Sequence, residues 1–159
     1  MKYLRRMAAA TATVGLAMAG VGLGSGAADA TTYHISGWTT GTGCRDSGIT
    51  VSYCLWYLPG QGTGGYGWEG DADSTYNIPS TATFTIQGSC PGGSGTSCGE
   101  GKPVKDDARS MSNATVICNV TVWQEPNNQG DADWLSPEQA GNLTSTLANH
   151  DESIDANNC

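Results

Sequence analysis

The stretch Ile49 to Leu58, ITVSYCLWYL, decides the class of fold. Val51, Tyr53, Leu55 and Tyr57 fall on one face, with Ile49 in the same register. β-Branched and aromatic residues recurring at period two predict a half-buried strand rather than a helix. Thr81 to Ile86 sets Ala82, Phe84 and Ile86 against threonines, and Ala114 to Trp123 puts Val116, Cys118, Val120 and Val122 on one face. Turn-forming stretches separate these runs at Pro59 to Gly70, Ser89 to Lys102 and Glu125 to Gly130. Helical periodicity is nearly absent. The single helical expectation is a turn or two opened by Ser136-Pro137-Glu138-Gln139, with Ser136 as N-cap, proline at the first helical position and an early acid.

The first thirty residues read as a secretory signal. Lys2, Arg5 and Arg6 precede an uncharged run from Met7 to Leu23, and Ala28-Asp29-Ala30 offers small residues for cleavage after Ala30. The Arg5-Arg6 pair raises the twin-arginine route, whose motif the flanking residues fit poorly. The run is rich in Gly and Ala, hence weakly hydrophobic for a membrane span. Residues 31–159 would then be the mature, extracellular part: 129 residues, one domain, without membrane attachment. Its four basic residues, Arg45, Lys102, Lys105 and Arg109, face fourteen acidic ones, a balance of −10 that repels nucleic acid and anionic lipid. All six cysteines lie there, at 44, 54, 90, 98, 118 and 159. In an exported chain an even count implies disulfides, and six cysteines allow fifteen pairings. Nearness in sequence favours Cys44–Cys54 and Cys90–Cys98, leaving Cys118–Cys159 to tether the C-terminus.

The chain repeats weakly. Trp56-Tyr57-Leu58-Pro59 resembles Trp123-Gln124-Glu125-Pro126, Gly70-Asp71-Ala72-Asp73 recurs as Gly130-Asp131-Ala132-Asp133, and Asp106 to Ser110 matches Asn149 to Ser153 loosely. The offset falls from 67 through 60 to 43, so the first unit is the longer. Its extra residues are expected in the Gly-rich loop after Pro59 and in the Cys90–Cys98 excursion. Two such units need each other to bury one apolar face.

That pattern resembles the βγ-crystallin double Greek key, whose motifs open with an aromatic strand, turn at glycine and carry an N/D-N/D-x-S/T-S stretch. Asp106-Asp107-Ala108-Arg109-Ser110 meets four of the five positions, and Asn149-His150-Asp151-Glu152-Ser153 meets the first and last. Cys54-Leu55-Trp56-Tyr57, following an earlier nearby cysteine, is similar to the small secreted bacterial metalloproteinase inhibitors of this fold. The resemblance implies an all-β, disulfide-stapled sandwich of two Greek-key motifs over 31–159. It also implies calcium as the one metal to consider, held by Asp106, Asp107, Ser110, Asn149, Glu152 and Ser153, with Arg109 and His150 as departures that weaken the sites. No cofactor is required. Without calcium, Ser110 and Ser153 are expected to bond the neighbouring hairpin while Asp106 and Asn149 shape turns.

Other chemistry is thin. Asp71/Asp73 and Asp131/Asp133 would each share a strand face and read as an exposed acidic rim. A glycosidase needs a carboxyl in an apolar pocket, and Glu69 is the one acid in aromatic company, beside Trp68. His34 and His150 accompany no nucleophile elbow. Trp38, Trp56, Trp68, Trp123 and Trp134 are candidates for a carbohydrate- or protein-binding face; Trp56 and Trp123 read as strand packing, and Trp68, in a Gly-rich stretch, is the better exposed candidate. The expectation is a monomeric, secreted, non-enzymatic protein-binding domain, with an extracellular metalloproteinase as the partner that the resemblance supplies. Tyr66 and Trp68 are the expected anchors, within a surface of Gly60 to Gly70 and the Cys90–Cys98 loop. The alternatives are a calcium-binding or structural extracellular protein and, third, a small glycan-active hydrolase.

Overall fold

The computed structural model describes residues 30–35, 38–39, 52–60, 65–71, 76–88, 90 and 95–159. The expected signal segment before Ala30, Cys44, Asp73 and the tips of both glycine-rich loops lie outside the described residues. Among the described residues no helix is long and apolar enough to cross a membrane.

The chain is all-β. The strands are β1 (Thr32–His34), β2 (Trp38–Thr39), β3 (Ser52–Trp56), β4 (Tyr66–Asp71), β5 (Tyr76–Asn77), β6 (Ile86–Gln87), β7 (Ser110–Asn113), β8 (Asn119–Glu125), β9 (Gln129–Leu135), β10 (Gln139–Asn142) and β11 (Ser153–Asn157). A 3-10 turn, Thr96–Cys98, precedes β7. One sheet runs β1-β9-β8-β11-β5 and the other β2-β10-β7-β3-β4-β6. The two halves of the chain therefore exchange strands, the first giving β1 and β5 and the second β10. β5 joins the sheet built from β8, β9 and β11, and β10 joins the sheet built from β3, β4 and β7. Neither half can close its sheet alone, which ties the halves into one folding unit.

Period-two patterning explains the core. Tyr53 and Leu55 of β3 and Met111 of β7 face Val120 and Val122 of β8, Leu135 of β9 and Ile154 of β11, with Ile78, Phe84, Val104, Leu143 and Leu147 filling the ends. Cys54 and Trp56 point the other way and are also fully buried, covered by Ile86 and Ala114. Disulfides join Cys90 to Cys98 and Cys118 to Cys159. Cys54 is disulfide-bonded too, and Cys44, expected as its partner, lies outside the described residues.

The strand registers sharpen the internal repeat. Trp56 pairs with Gly67 where Trp123 pairs with Ala132, and Leu55 pairs with Trp68 where Val122 pairs with Asp133. The offset is thus 67 at β3/β8, 65 at β4/β9 and, at β7/β11, 43, since Trp56 meets Ser110 as Trp123 meets Ser153. Gly130 answers to Gly65, with φ of 74° and 76°, so the Gly-Asp-Ala-Asp recurrence is not the structural repeat. Two of the first half's extra residues fall in the loop after Pro59. Another 22 fall between β5 and β7, where the Cys90–Cys98 excursion lies.

Two local expectations are corrected. Pro137 and Glu138 form a turn, not a helix: Glu138 sits at φ 56° and its N–H bonds the Thr115 carbonyl, and the next residues pair with β7 as β10. Long-range ladder bonds outweigh a weak start signal followed by too short a helical run. Val116 does not join a strand face. β8 begins at Asn119, and Val116 and Ile117 stand in the preceding turn.

Candidate binding surfaces

Three places hold the chemistry. The first is the crossing of the two halves, where the serine-bearing stretches meet about an approximate twofold relation. Asp106 N–H bonds the Asp151 carbonyl at 3.0 Å, and Asn149 N–H bonds the Ala108 carbonyl at 2.8 Å. Asp106 and Asn149 both lie at φ 65°, the left-handed region that Asp and Asn tolerate best after glycine. Ser110 Oγ donates to the Leu58 carbonyl at 2.8 Å, and Ser153 Oγ donates to the Glu125 carbonyl at 2.6 Å while accepting from Asn128 N–H. Each serine thus pins its neighbouring hairpin, and the two turn residues shape the approach. The acids do not converge. Among the described residues no three His, Cys, Asp or Glu side chains gather as a metal site. The chain's own cations lie at these stretches instead: Arg109 Nε donates to Asn149 Oδ1 at 2.9 Å, and Lys105 Nζ pairs with Glu152 at 2.9 Å. Asp107 is half-buried beside them and its N–H bonds the Val104 carbonyl. Asp151, where the first half has Ala108, is fully buried. Its Oδ1 accepts from Ala108 N–H at 3.0 Å, and its Oδ2 has no partner. Burial pushes this carboxyl well above the usual range, against the pull of its backbone hydrogen bonds.

The second is the turn between β7 and β8. Asn113, fully buried, donates from one amide nitrogen to the carbonyls of Cys118, Leu135 and Ser136, and its Oδ1 accepts from Thr115 N–H. Thr115 Oγ1 donates to the Cys118 carbonyl at 2.7 Å and accepts from Cys118 N–H. The Cys118–Cys159 disulfide ties the turn's base to the C-terminus. On this frame Val116 and Ile117 are 64% and 60% exposed, and with Tyr33 they are the large exposed apolar side chains of the described residues. Two adjacent β-branched residues held in water by a cross-braced turn gain nothing for the fold by standing there.

The third is the outer face of the β1-containing sheet. Trp123 and Trp134 line a groove of about 320 Å³ with Thr32, Asn119, Thr121 and Asn157. His34 of β1 stacks on Trp134, with ring centroids 4.0 Å apart and planes 24° off parallel, which fixes that indole.

The anchors expected from sequence lie elsewhere. Tyr66 is in the core, and Trp68, opposite Leu55, packs partly buried against it with its ring edge-on to Tyr53 at 6.2 Å. Both side chains fall on the inward parity of β4, so neither stands out as an exposed anchor. Glu69, on the outward parity, is half-buried opposite Cys54. The expected acidic rim is also corrected at β9. Asp133 is buried and accepts from Thr144 N–H at 2.7 Å and from Thr144 Oγ1, while Asp131 accepts from Thr31 N–H. Burial raises Asp133, and the Thr144 bonds oppose it. Sequence reasoning missed the 113–118 turn because Val116 fitted the strand alternation. The available signal was Asn113 before Thr115 and Cys118, a side-chain-bonded turn in place of a strand start. No family model, curated protein or solved structure matches the chain.

Proposed function

We propose that this chain is a secreted, non-enzymatic binding domain of the βγ-crystallin-like double Greek-key type that inhibits an extracellular metalloproteinase. The exchange of β5 and β10 between halves, and the two hairpin-pinning serines, support the Greek-key reading. Disulfides fit an oxidising compartment. The observation that carries inhibition is the Val116-Ile117 turn. An inhibitor must offer a protease cleft an apolar side chain on backbone that is already ordered, since ordering on contact would cost affinity. Asn113, Thr115 and the Cys118–Cys159 bond supply that order. Arg109 and Lys105 at the two serine-bearing stretches disfavour the calcium-binding alternative, because a fixed positive charge repels a divalent cation.

The test is a panel of secreted proteases that includes thermolysin-like zinc enzymes, assayed with the mature domain and with Val116→Ser/Ile117→Ser. A metalloproteinase should be inhibited, and the double variant should bind about thirtyfold or more weakly, as loss of a hot spot requires, with an unchanged melting temperature. Absence of inhibition across the metalloproteinases, or inhibition that survives the double substitution, defeats the reading.

A further inference from the structure

The groove on the outer face of the β1-containing sheet has no part in the inhibitory reading, and its chemistry points to a different class of ligand. Its walls come from four strands: Thr32 of β1, Trp134 of β9, Asn119, Thr121 and Trp123 of β8, and Asn157 of β11. Asn158 also lines it. None of these side chains ionises, in a chain with 15 acidic residues and a formal net charge of −8. The lining is two indoles plus amides and hydroxyls, groups that both donate and accept.

That composition selects among occupants. A nucleotide or an anionic polysaccharide would find no cation in the lining and an acidic chain around it. A peptide that adds as a strand needs a free backbone edge, yet β8 pairs with β9 on one side and β11 on the other, so the floor presents side chains only. A sugar ring needs what is present: a flat apolar platform for its C–H face and nearby groups matching hydroxyls that donate and accept. The amides are partly set in place, since Asn157 Nδ2 donates to Thr121 Oγ1 at 3.2 Å and Asn158 Nδ2 donates to Asn157 Oδ1 at 3.3 Å. A volume of about 320 Å³ lies at the small end of ligand sites, room for one or two rings rather than a long chain.

We propose that this groove is a binding site for a neutral oligosaccharide, with pyranose rings stacked on Trp123 and Trp134 and hydroxyls held by Asn119 and Asn157. It is a second site, distinct from the Val116-Ile117 turn. Asp155, on the same face, accepts from Asn157 Nδ2 at 3.5 Å, but a neutral ligand gives it no charge to steer, so affinity should change little with ionic strength.

The probes are neutral oligosaccharides of glucose, N-acetylglucosamine, xylose and mannose, titrated into the mature domain by calorimetry and tryptophan fluorescence, with pull-down on the matching insoluble polysaccharides. At least one should bind, equally in low and high salt. Trp134→Ala and Trp123→Ala should each weaken it on the order of tenfold or more. Asn119→Ala, a milder change, should weaken it with the melting temperature kept, which covers the case where a tryptophan variant fails to fold. Val116→Ser/Ile117→Ser should bind the sugar normally, so this site and the inhibitory turn can fail separately. The proposal is overturned if none of the neutral glycans binds at millimolar concentration, if only anionic polysaccharides bind, or if binding survives both Asn119→Ala and Trp134→Ala.

Discussion

Trp56 and Trp123 hold the same place in the two halves of the chain, each opposite a serine of the crossing stretch, yet their surroundings differ. Trp56 is fully buried under Ile86 and Ala114, and its indole N–H donates to Ser112 Oγ at 3.0 Å. Trp123 is half-buried and lines the open groove, and its indole N–H has no partner. The residue answering to Ser112 in the second half is Asp155, which does not receive it. The cause is chain length. Ile86 belongs to the 22-residue excess of the first half, which pairs along the edge of β4 as β6 and sets the Ile86 side chain against Trp56. The second half has no such excess, so its outer face stays open. One repeat has become scaffold and the other has kept a usable surface.

Removing each indole tests the difference between the two faces most strongly. Trp56→Ala should cost about 3–5 kcal/mol of unfolding free energy, as a large buried side chain leaves a cavity and an orphaned serine. Trp123→Ala should cost less, about 2 kcal/mol, since part of its area is already in water and its removal orphans no partner. Urea melts of the two variants decide it. Equal losses would mean the second face is as closed as the first. Trp123→Phe sharpens the point: it discards an unpaired donor and should be close to neutral, whereas Trp56→Phe leaves Ser112 without its partner.

A smaller effect is expected beneath the two rings. Trp56 lies over Gly67, where an added Cβ would stand 2.7 Å from the ring, while the same position under Trp123 is the buried Ala132. Gly67→Ala should therefore destabilise by about 1–3 kcal/mol through overpacking. Ala132→Gly should cost roughly 1 kcal/mol, through backbone entropy in a strand. If Gly67→Ala is tolerated and Ala132→Gly is not, the closed face is looser than the packing indicates.

These contrasts also show what the residues disclosed in advance. The alternation of Tyr53, Leu55, Val120 and Val122 carried the two long central strands, because one face of each meets the core. β7 was invisible: Met111 is its one apolar side chain in the core, while Ser110, Ser112 and Asn113 are buried through hydrogen bonds, so periodicity has no hold on it. Tyr66 and Trp68 sit in a glycine-rich stretch that read as loop, but pairing with β3 makes it a strand and turns both inward. The groove was out of reach because Thr32, Trp134 and Asn157 come from three distant strands. Trp134 alone carried a hint.

The crossing of the halves offers the next contrast, Asp151 against Ala108. Asp151's raised folded value means the folded state holds a proton that the unfolded chain has released. Its contribution to stability is therefore fully present below the ordinary carboxylate value of 3.8 and is lost as pH rises through the folded value. Asp133 and Asp106, also raised, add to the same slope. Asp151→Asn keeps an acceptor for Ala108 N–H and removes the proton linkage. Its unfolding free energy should depend less on pH between the carboxylate range and neutrality, and should exceed that of the parent at neutral pH. Parallel curves for the two proteins would show that Asp151 is solvated after all.

The smallest expected effect is that of calcium. The two serine-bearing stretches differ from each other in their fourth residue, Arg109 against Glu152, and both engage a cation of the chain itself. Arg109 spans from one stretch to Asn149 of the other and lies 5.7 Å from the Tyr57 ring centre, so its charge is held in place. Lys105 is raised above its ordinary value, first by its hydrogen bond to Glu152. A divalent ion would have to displace Arg109 from Asn149 and Lys105 from Glu152, and the serine hydroxyls are already committed to the Leu58 and Glu125 carbonyls. Millimolar calcium should leave the melting temperature unchanged within about a degree, because an ion that does not bind the folded state cannot shift its stability. Lys105→Ala with Arg109→Ser clears both charges. A gain of calcium-dependent stability in that variant alone would locate the block in these two side chains. A calcium-dependent rise in the parent would mean that Lys105 and Arg109 swing aside, and that the two stretches remain cation sites despite them.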